Sequence, residues 1–282
     1  MSIIQNISQA LIDEHIPWHA LPGNPVAGGR AINPWPPTGG GPAAGSGEEF
    51  LVFHQGFVQR FRDWVETLPA NDRPAQASIE SWKVIPPMLR MGMLGWNAAL
   101  AQDELRLADM SNFSTLDELG RFLEWDIHGF LHNSAAGMWN EPVLLSYESP
   151  RSTYFWQLHG LIEMWREQWV ENRETPVSPF VPLEVGGAST QAAIGTPGEI
   201  DRFEFLVPTP ATHTVETSGP TDVVMFLAGP NDAQRLVTSD DDSGQGTNAR
   251  IQRPLGAGTY FVYVIHYSEV GVGNYDISVT RN

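Results

Sequence analysis

Two different periods of apolar residues divide the chain. Ile3, Ile4, Ile7, Leu11 and Ile12 recur at helical spacing, which predicts a helix over 3–14 that Pro17 stops. Phe50, Leu51, Phe53, Phe57, Val58, Phe61, Trp64 and Val65 form a broad apolar face over 48–66. A third helix is expected to start at Ser114, with Asp117 and Glu118 beside the positive end of its dipole, and to run through Leu119, Phe122, Leu123, Ile127, Phe130 and Leu131. A fourth, 152–172, has Phe155, Trp156, Leu158, Ile162, Trp165 and Trp169 to bury. Four amphipathic helices predict a four-helix bundle. Beyond these, Phe203, Phe205 and Val207 alternate with polar residues, and Phe261, Tyr263 and Ile265 share one side of the run 258–266. Further period-two segments lie at 212–217, 222–227, 234–238, 249–255 and 275–280. About seven short strands at this spacing predict an antiparallel, jelly-roll-like β-sandwich.

Composition places the boundary. All ten Trp fall between Trp18 and Trp169, whereas everything after Gly186 is rich in Val, Thr, Gly and Asp. The Pro-rich stretch from Thr175 to Pro182 between them favours neither helix nor central strand. The expected division is a helical domain over 1–176, a linker over 177–184 and a sandwich domain over 185–282. A Gly/Pro-rich stretch from Gly23 to Gly47 is long for a structureless loop.

Charge narrows the partners. Lys and Arg number 16 against 33 Asp and Glu, a net charge of -17, which repels phosphate backbones and anionic headgroups, so neither nucleic acid nor membrane is an expected partner. No cysteine is present, which removes disulfides, thiolate zinc sites and cysteine nucleophiles. A metal must then be held by imidazole, carboxylate or carbonyl groups.

Six of the eight histidines, His15, His19, His54, His128, His132 and His159, lie in the helical part. His128 and His132 are four apart, so their rings project from one helix face within reach of a common ion. Burying two imidazoles among Phe, Leu and Trp is costly unless something satisfies their nitrogens, and a metal does so. His15 and His19 share the spacing, but Pro17 between them breaks the expected helix. Gly129 stands where a zinc protease would carry its general base. An imidazole-only site suits Zn, Cu or Ni, and paired copper would use all six rings. His213 and His266 fall on predicted strands and read as structural.

At these residues the sequence resembles the tyrosinase family of binuclear copper proteins, which includes catechol oxidases and hemocyanins. Phe50-Leu-Val-Phe-His54-Gln-Gly-Phe is similar to the segment whose histidine binds the first copper. Ile127-His128-Gly-Phe-Leu-His132, followed by Ala135-Ala-Gly-Met138, resembles the segment giving two ligands to the second. The segment from Ser149 through Phe155-Trp-Gln-Leu-His159 to Glu163 resembles the one that gives the third. The resemblance spans roughly 11–172. It implies two copper ions, or one if the first site is degenerate, with His128, His132 and His159 on one and His54, His19 and His15 on the other. Gly45 occupies the position of a first-copper histidine, Gly129 replaces an Asn associated with phenol deprotonation, and Glu163 replaces an Asp that would orient a ring from behind. The implied activity is O2-dependent oxidation of o-diphenols or related aryl substrates, with monophenol hydroxylation not expected and a copper chaperone as a possible further partner. The alternatives are a mononuclear three-histidine enzyme and a non-catalytic copper- or O2-binding or adhesive protein. Trp18, Trp139 and Trp156 are candidates to line the approach.

The second part resembles the bacterial pre-peptidase C-terminal domain, over Asp201-Arg-Phe203-Glu-Phe205, Thr221–Leu227, Asp240–Asn248 and Gly256–Val262. That resemblance implies export, although the first residues lack the pattern of a secretory signal. Asp240, Asp241 and Asp242 could offer oxygens to Ca2+, yet such a turn is more often a solvated loop held by its own side chains.

Overall fold

The computed structural model describes residues 2–35, 41–174, 180–268 and 270–282. They form two compact units, one of Met1–Trp82, Met88–Gly95 and Phe113–Glu174, the other of Lys83–Pro87, Trp96–Asn112 and Thr175–Asn282. In chain order the helices are α1 (Gln9–Ala20), α2 (Ser46–Thr67), α3 (Gln76–Ile79), α4 (Ala98–Leu107), α5 (Leu116–Phe122), α6 (Gly129–Met138) and α7 (Thr153–Glu174). All but α4 belong to the first unit. The linker expected over 177–184 lies partly outside the described residues. Among the described residues no helix is long and apolar enough to cross a membrane.

The first helix departs from expectation at both ends. Ile3 pairs with Ser152 in an isolated bridge, and Ile4 donates to the Arg151 carbonyl at 2.8 Å, so the chain is extended there and α1 begins only at Gln9. At the other end the helix runs through Pro17 to Ala20. A proline inside a helix costs about 3 kcal/mol or more. Here it stands one turn from the end, and burial of Leu11, Ile12, His15 and Trp18 against the core offsets that cost. The consequence is functional, because His15 and His19 stay on one helix.

Helices α2 and α5 approach closely where Gly47 faces Gly120: a Cβ added at 120 would lie 2.0 Å from the Gly47 carbonyl oxygen. Asp117 on α5 accepts from the Gly47 amide at 2.9 Å, binding the start of α2 to its neighbour. Thr115, one residue later than expected, caps α5 by accepting from the Glu118 amide. Between α5 and α6 the helix is continuous but widens into a π-turn over Leu123–His128, so His128 closes a turn of altered register. Glu163 on α7 pairs with Arg62 on α2 at 2.7 Å.

In the second unit, β1 (Val181–Pro182), β3 (Ile200–Val207), β8 (Gly258–His266), β5 (Val223–Ala228) and β6 (Leu236–Asp240) form one sheet in the order β1-β3-β8-β5-β6. The other is β2-β9-β4-β7, from β2 (Thr190–Ile194), β9 (Gly273–Arg281), β4 (Ala211–Ser218) and β7 (Arg250–Leu255). Apart from the parallel β1–β3 pair, neighbours are antiparallel. Phe203, Phe205, Val207, Val262, Val264, Tyr275, Ile277 and Val279 fill the space between the sheets. Phe203, Phe205 and Val207 are the face that alternation predicts, whereas in β8 Val262 and Val264 face this core and Phe261, Tyr263 and Ile265 the other side. Strand β5 is buried on both faces. Its Val224, Phe226 and Ala228 join Tyr263 and Ile265 of β8 in a second cluster with Leu105 of α4 and Ala108 just after it. Gln102 of α4 hydrogen-bonds the backbone at Gln234 and Leu236. A helix from the first half of the sequence thus covers the outer face of a sheet.

Candidate metal centre

Six imidazoles converge in the first unit. His15 and His19 from α1 and His54 from α2 form one triad, and His128 at the end of the π-turn, His132 on α6 and His159 on α7 form the other. Within each triad the candidate ligand atoms all lie within 4.8 Å of one another. The triads adjoin, with the His54 and His159 rings stacked at 4.7 Å between centroids and His54 6.2 Å from His128. The Nε2 atoms of His128 and His159 are 3.2 Å apart.

Backbone carbonyls set the orientation of four rings. Nδ1 of His15 bonds the Tyr147 carbonyl at 2.7 Å, His54 that of Phe50 at 2.8 Å, His132 that of Leu144 at 2.9 Å and His159 that of Phe155 at 2.8 Å. A carbonyl only accepts, so each Nδ1 carries the hydrogen and each Nε2 presents a bare lone pair. The Nε2 atoms of His15 and His54 are buried with no hydrogen-bond partner. Burial holds all six rings below the usual imidazole range, His15 and His132 at about 4, with neighbouring rings adding repulsion at His19, His54, His128 and His159. They are neutral at pH 7, the form that binds metal.

Aromatic walls surround the rings. Phe155 stacks on His159 at 3.8 Å, Phe57 on His15 at 5.3 Å, and Phe50 packs against His54 at 4.4 Å. Trp18 meets His19 and His54 edge-on at 4.6 and 5.1 Å. On its other side Trp18 carries the buried Arg30 guanidinium, which pairs with Glu124 of the π-turn. A cavity of about 240 Å³ opens onto five of the histidines, His54 lying behind them, and is also lined by Gly129, Asn133, Leu144–Tyr147 and Ser149. The segment 144–147 therefore does two things. Its carbonyls fix one ring of each triad, and the half-exposed Tyr147 ring lies parallel to His19 at 5.7 Å.

Neutral rings with fixed tautomers and inward lone pairs fit metal ions. An unpaired buried acceptor costs about 1–3 kcal/mol, a cost that coordination removes. An all-imidazole donor set is of the kind that takes Cu, Zn or Ni.

The predicted residues behave as follows. All six histidines meet, including the His15–His19 pair that Pro17 was expected to disrupt; the rings are 4.5 Å apart. Gly45 lies at the N-terminal cap of α2 with φ 83°, and a Cβ there would meet Ile32 at 2.9 Å, so backbone conformation accounts for the glycine. Glu163 faces Arg62 rather than a ring, and the orienting role expected of it falls to backbone carbonyls. Trp18 and Trp156 are core residues and Trp139 stacks on Tyr154; the approach is lined instead by Tyr147, Asn133 and Ser149. Tyr147 gave no signal in the sequence, because a loop carbonyl holding a ring leaves no side-chain pattern. His213 and His266 make local bonds at β4 and after β8. Asp240 accepts from the Ser243 and Arg250 amides at 3.0 and 2.7 Å. Among the described residues the two histidine triads are the clusters of three or more such ligands, so the Asp240–Asp242 turn does not gather as a calcium site.

No family matches the chain by sequence, and no curated protein does. Among solved structures, the pre-peptidase C-terminal domain of collagenase from Bacillus anthracis aligns at 16% identity and TM-score 0.33, covering 37% of this chain and 98% of that one. PliG, a periplasmic inhibitor of g-type lysozyme, aligns from Aeromonas hydrophila at 17% identity and TM-score 0.31, covering 36% and 96%. Its Salmonella Typhimurium counterpart aligns at 15% and 0.27, covering 37% and 100%. The likeness is to the C-terminal sandwich.

Proposed function

We propose that the helical unit is a dinuclear copper oxidase that uses O2 to oxidise o-diphenols or related aryl substrates, as the tyrosinase-like motifs suggest. The observation that carries this reading is the pair of adjoining three-imidazole sets, with the buried Nε2 atoms of His15 and His54 left without a partner. Paired copper ions held there would each exchange one electron, so that two electrons leave a diphenol together. The chain's own part is to hold the six rings neutral and four of them pre-oriented, with Phe50, Phe57 and Phe155 keeping water from them. The cavity, just below the ~300–1,000 Å³ of drug-sized pockets, suits a single aromatic ring. The mononuclear alternative drew on Gly45 as a lost ligand, and a first triad completed by His15 and His19 takes that support away.

Copper content by native mass spectrometry, with O2 uptake on catechol, tests this. Two ions per chain with uptake are expected. One ion would favour the mononuclear alternative, and two ions without uptake a non-catalytic copper protein. Tyr147→Ala keeps the carbonyl that holds His15 but removes the ring over His19. It is expected to raise kcat/KM for two-ring catechols roughly tenfold while leaving catechol itself within about threefold, measured by steady-state O2 uptake.

A further inference from the structure

Methionine usually fills cores, and Met110 and Met225 do so here. Met88, Met91 and Met93 do not: they are 49%, 41% and 81% exposed within six residues of chain. Two short 3-10 turns, Pro87–Arg90 and Gly92–Leu94, flank Met91. The Leu94 and Gly95 amides donate back to the carbonyls of Met91 and Gly92 at 2.9 and 3.0 Å. Such a turn advances only about 6 Å over three residues, and each thioether swings on three rotatable bonds. With Met91 extended between the two turns, the three thioethers lie along one exposed six-residue segment. Leu89 is fully buried, and Leu94 sits against Gly137 of α6. Apolar side chains thus anchor the segment while the thioethers point to solvent, beside the helix that carries His132.

We propose that Met88, Met91 and Met93 form a surface site for monovalent copper, through which copper reaches the histidines. The entry role rests on the copper reading above. Thioethers are soft donors that select Cu(I) over harder divalent ions, and in a chain without cysteine they are the soft donors available. A neutral thioether set holds the ion without a charge to neutralise, so a stronger imidazole triad can take it over.

Silver(I), a redox-inert stand-in, tests the site on the full chain carrying methyl-labelled methionine. One equivalent is expected to shift the methyl signals of Met88, Met91 and Met93 and to leave those of Met110 and Met225 in place. The triple substitution Met88→Leu, Met91→Leu, Met93→Leu, conservative in volume at exposed positions, should abolish the silver response. It should also slow anaerobic filling of the protein from Cu(I) at least tenfold, with the same final copper content. Methyl signals unmoved by silver, or a triple variant that fills at the wild-type rate, would overturn the proposal. Failure of the wild type to take copper at the histidines would instead sink the oxidase reading, while the silver response still reports on the thioethers.

Discussion

His54→Leu is expected to act in opposite directions on the metal-free and the loaded protein. In the loaded protein it removes a ligand of the first triad, so copper falls from two ions per chain to one. Changes to groups merely behind a ligand cost 10–100-fold, so loss of the ligand itself should lower catechol turnover by at least about 100-fold. In the metal-free protein the same change removes a buried Nε2 that has no partner, while the Phe50 carbonyl keeps its place in the ladder of α2. Stability should then stay level or rise by up to about 1–3 kcal/mol, read by thermal or urea unfolding after chelation. Binding reverses the order, because a ligand that prefers the folded state stabilises it in proportion to its affinity. A His54→Leu protein that is strongly destabilised without metal would make His54 an ordinary core residue and remove the first site.

Gly120→Ala should be strongly destabilising to the helical unit. The added Cβ would meet the Gly47 carbonyl oxygen at 2.0 Å and its carbon at 2.3 Å. Both are backbone atoms, so α2 and α5 must part. Overpacking typically costs about 1–3 kcal/mol, and a clash with backbone puts this change at the upper end, measurable as a shift of the urea midpoint. Because α2 carries His54 and the run through α5 and α6 carries His128 and His132, copper content should fall as well. Gly129→Ala is the contrast. Nothing lies within 4 Å of a Cβ there, and the helix gains about 0.5–1 kcal/mol from losing a glycine.

Much of the centre was legible along the chain. His128 and His132 announce themselves by spacing, since four residues of helix bring two rings to one face whatever surrounds them. His54 and His159 stand out through the motifs around them. The first triad was less legible because Pro17 argues locally against a helix, and only burial of Trp18 and its neighbours carries α1 past it. The helix α4 is not among the four expected from the sequence, and its Leu105, with Ala108 at its end, is buried on the sheet. Periodicity says that a face must be buried but not against what.

Period and composition alone determined that a helical, tryptophan-rich unit precedes a β-sandwich and that no metal here is held by a thiolate. Those properties follow from backbone geometry and residue chemistry, which are local. Tertiary structure alone decided that six rings meet as two adjoining triads, that carbonyls of Tyr147 and Leu144 fix one ring in each, and that Tyr147 stands at the mouth. Such contacts join residues as far apart as His15 and Tyr147, and form only when burial of distant apolar faces has drawn the helices together.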